Sequence, residues 1–405
     1  MQEIIINVDE DKNKIVALME NGKLVEKYDE VSGQNRLEGN IYIGKVENVL
    51  YGMQAAFVNI GEEKNTFMHI RDVMPRVSNE TGNKNEMLSK HDIKNYIKQG
   101  MPVLVQVKRD STNKKGARVS THINMPGRFV VIMPNTEFIT VSQKIEDQEE
   151  KERLKNIVKE NLPKGYGAII RTSAYGKEED LIKRDINKIV EELTCINKEF
   201  SEVKLKKDKF KTKLLHKNDG IINKLLIDII DQGIEKVWTN NSEVYKEVEK
   251  LVKDTGNSEK VKVELKTEDL LTMYDLDDQI EKAINRKVWL KCGGFITIDK
   301  TEALTAIDVN SGKYIGGKDL EQTVFTVNKE ASIEIAKQIR LRDIGGIIII
   351  DYIDMERQES KDKITEILKD SLKKDRSKTQ VIGFTPLNLL EMTRKNMCNN
   401  DYYEE

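Results

Sequence analysis

Residues 306–312 and 347–355 read AIDVNSG and IIIIDYIDM, and each stretch places a carboxylate at the end of an apolar run. Short runs rich in β-branched residues predict buried strands, and Asp308 and Asp351 fall where those strands would meet solvent. A carboxylate at such a position needs a hydrogen-bond donor, a cation or a metal. Asp308 and Asn310 are two positions apart, so one strand face would offer two oxygen ligands or acceptors. The two stretches predict the metal-binding half of an active site.

Length and composition indicate the number of domains and the class of protein. A chain of 405 residues exceeds one ordinary core and predicts about two to four domains. The composition, 38% hydrophobic and 34% charged, is typical of a cytoplasmic protein. Residues 1–7 lack the basic lead and apolar stretch of a secretion signal, and residues 347–350 are far too short an apolar run for a membrane span. We therefore expect a cytoplasmic protein without contact to a membrane.

Cysteines and charges narrow the classes of site. Cys195, Cys292 and Cys398 lie too far apart in sequence for a zinc pair or a disulfide framework, so no structural zinc is expected within one chain. The net charge of −2 gives no global signal for nucleic acid, but residues 108–118 and 204–217 are strongly basic. Such runs either follow phosphates or form solvated surface, and charge alone does not decide between the two.

The N-terminal third of the chain has a β pattern. Residues 1–38 alternate around polar turns and predict hairpins. Residues 39–123 continue as short strands with glycines at the bends, which predicts a small five-stranded barrel. The pattern names four of its strands, at 41–46, 55–61, 66–70 and 103–107.

The remainder alternates strands and helices. After Pro126 the pattern predicts strands at 129–133 and 168–171 and helices at 145–161 and 178–197. Residues 276–396 predict an α/β region in which ligands bind at strand ends. Its predicted elements are helices 277–290, 320–342 and 360–375 and strands 295–298, 303–309, 347–352 and 379–384.

Long motifs in a fixed order make the chain similar to a known family. They are TEALTAIDVN at 301–310, RLRDIGG at 340–346, the segment around Asp351 and LEMTR at 390–394. The barrel opening at 39–61 and the pair Arg171 and Thr172 are similar as well. Together they resemble the ribonuclease E/G family over nearly the whole chain.

The resemblance implies a multidomain fold of α/β and β regions. An RNase H-like subdomain would be split around an S1-type OB barrel and a 5′ sensor, and a DNase I-like α/β catalytic subdomain would follow. The implied bounds are a first RNase H-like segment at 1–38, the barrel at 39–125, the sensor at 126–219, a second RNase H-like segment at 220–280, the catalytic subdomain at 281–396 and a tail at 397–405.

The resemblance also implies the chemistry. Asp308 and Asp351 would hold a catalytic Mg²⁺, and Asn310 would orient the site. Mg²⁺ takes one or two carboxylates and keeps several waters, one of which can attack a phosphodiester. The implied activity is Mg²⁺-dependent endonucleolytic cleavage of single-stranded A/U-rich RNA to 5′-phosphate and 3′-hydroxyl products. The implied processes are rRNA processing and mRNA decay.

Three residues of the barrel match RNA contacts in the family. Phe57 and Phe67 would stack on single-stranded RNA, and Lys115 would contact its backbone. Taken without the resemblance, Phe57 is better interpreted as barrel core, because aromatics in alternating strands are usually buried. For Phe67 the sequence pattern does not decide between a core residue and an RNA contact.

Arg171 and Thr172 match a pocket for a 5′-monophosphate, which a guanidinium and a hydroxyl can bind together. Taken without the resemblance, Arg171 is a strand-end arginine in a surface ion pair. Relatives tend to carry arginines where this chain has Gln143, Lys144 and Lys378. The sequence therefore departs from the family at these three positions.

The largest departure from the family follows Arg394. The family usually continues to a Cys-Pro-x-Cys zinc link and a small oligomerising domain, whereas this sequence has a single Cys398 there. A homodimer is therefore left open, and zinc is not expected. The alternative function is an RNA-binding protein with weak or no cleavage. A general DNase I-like phosphodiesterase is disfavoured, because such enzymes use a histidine and none lies in the α/β region.

The α/β region contains three other acids whose sequence context is less specific. Asp299 and Asp354 either help to arrange the metal site or act as turn and capping residues. Asp343, before Gly345 and Gly346, is interpreted as a turn residue without a functional role.

Overall fold

The computed structural model describes residues 2–32, 36–74, 92–111, 116–205, 210–218, 220–230, 233–254, 259–312 and 320–396. Lys115 and Cys398 lie outside these ranges. The chain divides into two compact units, residues 1–34 with 232–405 and residues 35–231. In the described ranges no helix combines the length and the apolar character that a membrane crossing requires.

The described elements are strands, α-helices and short 3-10 turns. The strands are β1 (Gln2–Val8), β2 (Lys14–Glu20), β3 (Lys23–Glu30), β4 (Ile41–Leu50), β5 (Ala55–Asn59), β6 (Thr66–His69), β7 (Pro102–Arg109), β8 (Arg118–Ser120), β9 (Met125–Pro126), β10 (Val130–Pro134), β11 (Ile139–Val141), β12 (Tyr166–Ile170), β13 (Lys213–His216), β14 (Ile234–Thr239), β15 (Lys262–Leu265), β16 (Lys287–Trp289), β17 (Phe295–Lys300), β18 (Leu304–Asn310), β19 (Gly346–Asp351), β20 (Thr379–Phe384) and β21 (Leu389–Arg394). The α-helices are α1 (Gln148–Asn161), α2 (Glu179–Leu205), α3 (Ile221–Ile229), α4 (Ser242–Asp254), α5 (Leu270–Met273), α6 (Leu276–Ile284), α7 (Leu320–Leu341) and α8 (Gln358–Leu372).

A closed barrel begins the unit of residues 35–231. Its strands follow the order β4-β5-β6-β8-β7, and β7 pairs back with β4, while β13 adds to the outside of β4. Alternate residues of these strands point inward, among them Val46, Val58 and Met68. At Gly44 a Cβ would come within 2.6 Å of Val58 Cγ1, so only glycine fits this approach between strands. The predicted five-stranded barrel is confirmed and is OB-like.

A second sheet of the same unit has the order β11-β12-β10-β9. Helices α1 and α2 share one apolar core with it, through side chains such as Leu154, Ile186 and Leu193. The predicted strands and helices of this region are present within a few residues, and α2 extends further than the sequence pattern indicated.

The other unit joins the first residues of the chain to its second half. Its five-stranded sheet has the order β15-β14-β1-β2-β3, with β1 parallel to β14 and antiparallel to β2. The middle of β1, residues 4–7, is buried and contains three isoleucines, as expected for a strand with neighbours on both sides.

A six-stranded sheet of this unit carries the acid-tipped strands, in the order β16-β17-β18-β19-β21-β20. One face packs on α7 and α8, with Ile307, Ile350, Val327 and Ile364 in the shared core. Residues alternate along each strand, so the remaining side chains of β17, β18, β19 and β21 lie on the opposite face, which we call the open face.

In residues 276–396 one predicted helix is too long, and two strands, β16 and β21, were not predicted. The predicted helix 277–290 ends at Ile284, and β16 follows and pairs with β17. A tight turn joins these strands, in which Leu290 and Gly294 are hydrogen-bonded and Gly293 has φ +94°. The strand pairing overrides a helical pattern of apolar residues that continues past Ile284. The LEMTR motif, to which no element was assigned, forms most of β21.

Candidate functional site

The two acid-tipped strands lie side by side. β18 and β19 are parallel, and Asp308 and Asp351 are direct partners in their register. Both carboxylates are exposed, while the residues before them, Ile307 and Ile350, are buried. Asn310 Nδ2 donates a hydrogen bond to Asp308 Oδ2 at 2.6 Å. The structure therefore brings together the three residues that the sequence singled out as catalytic.

The charges of this pair are poorly compensated. Partial burial, together with the negative charges of Asp308 and Asp354, raises the pKa of the Asp351 carboxyl. In the described ranges of the chain neither Asp308 nor Asp351 forms an ion pair with a basic side chain. Adjacent carboxylates of this kind repel each other and favour a bound cation.

The donor set fits a hard divalent cation. Two carboxylates and a nearby amide supply only oxygen ligands or an orienting hydrogen bond, which suits Mg²⁺ better than a softer metal. Among the residues that the structure describes, no group of three or more His, Cys, Asp and Glu side chains is arranged to hold a metal. Two protein carboxylates would leave coordination positions of a Mg²⁺ open for water and phosphate oxygens.

A buried ion-pair network fixes the start of β19. Arg394 donates to Asp375 at 2.6 and 3.3 Å, to Asp343 at 2.7 Å and to the carbonyl oxygen of Ile344 at 3.0 Å. The side chains of Arg394, Asp343 and Asp375 are 1–3% exposed. Asp343 lies in the turn after α7, with φ +46°, so its interpretation as a turn residue is confirmed, but it is also one partner of a buried arginine. The network holds the turn that leads into the strand ending at Asp351.

A second network ties α7 to the five-stranded sheet of the same unit. Arg340 donates to Glu26 and Glu20, and Arg376 donates to Glu26 and to the hydroxyl of Tyr28. Burial acts to raise the pKa of Glu26, but the charges of Arg376 and Arg340 outweigh it and lower that pKa. The RLRDIGG motif thus contributes buried ion pairs rather than groups that face the carboxylates.

Asp299 and Asp354, two further acids of the α/β region, differ in their surroundings. Asp299 accepts two hydrogen bonds from Arg286, at 2.5 and 2.7 Å, so its charge is neutralised away from the pair. Asp354 is exposed and contributes to the raised pKa of Asp351. Of the two, only Asp354 acts electrostatically on the carboxylate pair.

The barrel presents an aromatic pair on its outer side. Phe57 and Phe67 are register partners on β5 and β6, with ring centroids 6.1 Å apart and an interplanar angle of 68°. Both are half-buried, and both alternate with inward-facing residues such as Val58 and Met68. The interpretation of Phe57 as barrel core is wrong. Arg118 is the register partner of Phe67 on the other side, whereas Lys115 lies outside the described residues.

Arg171 and Thr172 lie at the end of β12. Arg171 Nη1 donates to the carbonyl oxygen of Gly127 at 2.9 Å, and Thr172 begins a 3-10 turn. Thr172 Oγ1 and Ser142 Oγ are 3.1 Å apart, because β11 and β12 run parallel and end together. The ends of β11 and β12 thus bring two hydroxyls together, while Arg171, the residue before Thr172, donates to the carbonyl oxygen of Gly127.

Two residues that contact this site or support the carboxylate strands were missed from the sequence. Ser142 shares the site of Thr172, and only the parallel register of β11 and β12 reveals it. Arg394 belongs to a recognised motif, but its partners lie 19 and 51 positions away. No local pattern pairs residues across such separations.

Comparison with known proteins gives one consistent result. The sequence model described as "Ribonuclease E/G family" matches residues 124–397. Ribonuclease G of Salmonella typhimurium (strain SL1344) is 36% identical over 397 residues, which covers 97% of this chain and 79% of the relative. Ribonuclease E of Nostoc sp. (strain PCC 7120 / SAG 25.82 / UTEX 2576) is 33% identical over 371 residues, covering 90% and 52%. Ribonuclease E of Escherichia coli (strain K12) is 31% identical over 405 residues, covering 98% and 37%.

Proposed function

Because this chain belongs to the ribonuclease E/G family, we propose that it is a Mg²⁺-dependent endoribonuclease that cuts single-stranded A/U-rich RNA in rRNA processing and mRNA decay. Its relatives named ribonuclease G and ribonuclease E support the enzyme class, and the chain is an endoribonuclease. The metal, the base preference and the preference for a 5′-monophosphate are the features that we propose, with the cytoplasm as the place of action.

One observation carries the metal proposal, namely the register pairing of Asp308 with Asp351 on adjacent parallel strands. Asn310 holds one oxygen of Asp308 by a hydrogen bond of 2.6 Å, which fixes the direction of the other oxygen. A Mg²⁺ held by the two carboxylates would acidify a water molecule and offset charge on the phosphodiester. Attack on phosphorus with departure of the 3′ oxygen leaves a 3′-hydroxyl and a 5′-phosphate.

The subdomain assignment is also a proposal. We assign residues 1–38 and 220–280 to an RNase H-like subdomain, residues 39–125 to an S1-type barrel, residues 126–219 to a 5′ sensor and residues 281–396 to a DNase I-like catalytic subdomain, with a tail at 397–405. The alternative of a binding protein with weak or no cleavage finds no favourable observation, because Asp308, Asn310 and Asp351 are present and adjacent.

We propose that Phe57 and Phe67 hold the substrate by stacking on its bases, with Lys115 as a backbone contact. Replacing Phe57 or Phe67 with alanine is expected to weaken binding of a short single-stranded RNA by about 5- to 150-fold, because stacking contributes about 1–3 kcal/mol per base. Fluorescence anisotropy in EDTA measures this binding without cleavage. The Phe57→Tyr variant keeps a ring for stacking and serves as the control. Unchanged affinity in both alanine variants would remove the aromatic pair from the RNA site.

We propose that Arg171 and Thr172, with Ser142, bind a 5′-monophosphate. Thr172→Val keeps the shape of an exposed side chain and removes its hydroxyl, and Arg171→Met removes the charge. Hydrogen bonds to charged groups contribute about 1.5–3 kcal/mol, so the rate ratio between 5′-monophosphate and 5′-hydroxyl RNA should fall about tenfold or more in Arg171→Met. The rate on 5′-hydroxyl RNA should stay constant. A ratio that does not change in either variant would rule out this sensor.

A further inference from the structure

An aromatic pair with a lysine lies on the open face of the six-stranded sheet. Trp289, at the end of β16, is 60% exposed. Its ring centroid is 5.4 Å from that of Phe295, at an interplanar angle of 62°. Lys287 Nζ lies 4.1 Å from the centroid of Trp289 and 3.6 Å from that of Phe295. We call these three residues the stacking platform.

Strand register places the platform beside the carboxylates. Trp289 pairs with Phe295, and Phe295 pairs with Asn310. In the next row, Lys287 pairs with Thr297, which pairs with Asp308. Directly opposed residues of antiparallel strands point to the same face, so the platform shares the open face with Asn310 and Asp308. Two strand spacings separate Trp289 from Asn310, which is about 10 Å.

Structural roles account poorly for this arrangement. Val288, the neighbour of Trp289, points toward the apolar core, so Trp289 contributes nothing to that core. An exposed tryptophan leaves a large apolar surface in water, and such surfaces usually mark binding sites. Among the described residues no carboxylate forms an ion pair with Lys287, and the nearby Asp299 is already held by Arg286. The platform therefore combines flat apolar rings with an uncompensated positive charge.

Single-stranded RNA is the occupant that fits both properties. Every base has a flat face that stacks on an aromatic ring, and a lysine beside the rings can contact the adjoining phosphate. The distance of about 10 Å corresponds to about one to three nucleotides along a strand, depending on how far it is extended. A substrate cut at Asp308 and Asp351 would bring a neighbouring base over Trp289.

We propose that Lys287, Trp289 and Phe295 bind a nucleobase of the RNA substrate about one to three nucleotides from the scissile phosphate, and that the Lys287 ammonium contacts the adjoining phosphate. This proposal rests on the proposed endoribonuclease function and extends its substrate site. Stacking is tolerant of sequence, so the platform sets the position of the strand rather than the choice of base.

An abasic scan combined with a variant tests the platform. A short RNA is prepared in versions that each lack one base, at successive positions, and the binding of each version is measured by anisotropy in EDTA. Wild-type protein should lose about 5- to 150-fold in affinity at one platform position. The Trp289→Ala variant should bind the intact RNA more weakly than wild type by a similar factor. Removing that base from the RNA should not weaken binding to the variant any further. In the Trp289→Phe variant, the affinity should again depend in part on the presence of that base.

The matched control is Ile382→Ala, which removes another exposed apolar side chain, 63% exposed, on the same sheet. It should leave the abasic profile unchanged. An identical abasic profile for wild type and Trp289→Ala would overturn the platform. The same conclusion would follow if Trp289→Ala changed only the mass in sedimentation equilibrium, because the face would then bind protein.

The assay separates the platform from the proposed function because it needs no cleavage. If wild-type protein shows the coupling between Trp289 and one base but does not cut RNA with Mg²⁺, the platform stands and the cleavage proposal fails. If it cuts RNA and shows no coupling, the platform fails alone. Where cleavage occurs, mapping the cut site gives the distance between the platform base and the scissile phosphate.

Discussion

Replacing Asp308 or Asp351 with asparagine is expected to lower the rate of RNA cleavage by at least about a hundred- to a thousandfold. Metal ions contribute several kcal/mol to the transition state of phosphoryl transfer, and each 1.4 kcal/mol is about a factor of ten in rate. Asparagine keeps the size of the side chain and removes the charge that would hold the cation. The loss should appear in single-turnover cleavage of a fluorescent RNA at saturating protein.

Both variants should keep the fold and nearly the same RNA affinity. Asp308 and Asp351 are exposed, and removing one of two like charges relieves repulsion rather than breaking an ion pair. Asp299→Asn is a suitable control, because Asp299 is neutralised by Arg286 and should matter little for cleavage. If Asp351→Asn cut RNA at the wild-type rate, the assignment of the metal to this pair would be wrong.

Replacing Arg394 with methionine should cause the largest loss of stability among the variants considered. The substitution leaves Asp343 and Asp375 buried without their cation, and the side chains of both are at most 3% exposed. Removing one partner of a buried ion pair typically costs about 3–5 kcal/mol, because the remaining charge is uncompensated. Urea denaturation followed by tryptophan fluorescence should show this decrease in the free energy of unfolding of the unit that contains Trp238 and Trp289.

The control for this prediction is Arg286→Met in the same unit. Arg286 also pairs with an aspartate, but the two side chains are 70% and 46% exposed, so water already screens the pair. Its urea midpoint should move far less than that of Arg394→Met. Equal shifts in the two variants would show that burial of the Arg394 network does not determine its contribution.

Local sequence patterns predicted the features of this molecule that local physics determines. The alternation of apolar and polar residues predicted the barrel, and the apolar runs before Asp308 and Asp351 predicted strands with carboxylates at their ends. Asp308 and Asn310 share a face because side chains alternate along a strand, and the hydrogen bond between them agrees with that geometry.

Local patterns do not predict which residues pair when they lie far apart in the sequence. The register of β18 with β19 is set by many contacts along both strands, and it alone makes Asp308 and Asp351 neighbours. Asp343 has the sequence context of a turn residue, yet Arg394, 51 positions later, makes it half of a buried ion pair. Periodicity also extended a helix into β16, because β16 is identified by its partner β17 rather than by its own residues.

The orientation of aromatic side chains was a further limit. The pattern of its own strand predicts Phe57 in the barrel core, because aromatics in strands are usually buried. In the barrel, small and branched residues such as Ala56 and Val58 fill the inside and leave Phe57 on the other face. Which face of a barrel strand points inward depends on closure, which one strand does not reveal.

One measurement tests most directly whether Asp308 and Asp351 form the metal-dependent centre of an endoribonuclease. The protein is mixed with an A/U-rich, 5′-monophosphorylated RNA labelled at its 3′ end, with Mg²⁺ or with EDTA, and the ends of the products are identified. We expect internal cleavage that requires Mg²⁺ and yields 5′-phosphate and 3′-hydroxyl ends. Cleavage in EDTA with 2′,3′-cyclic phosphate ends would contradict this assignment, since the attacking group would then be the RNA's own 2′-hydroxyl.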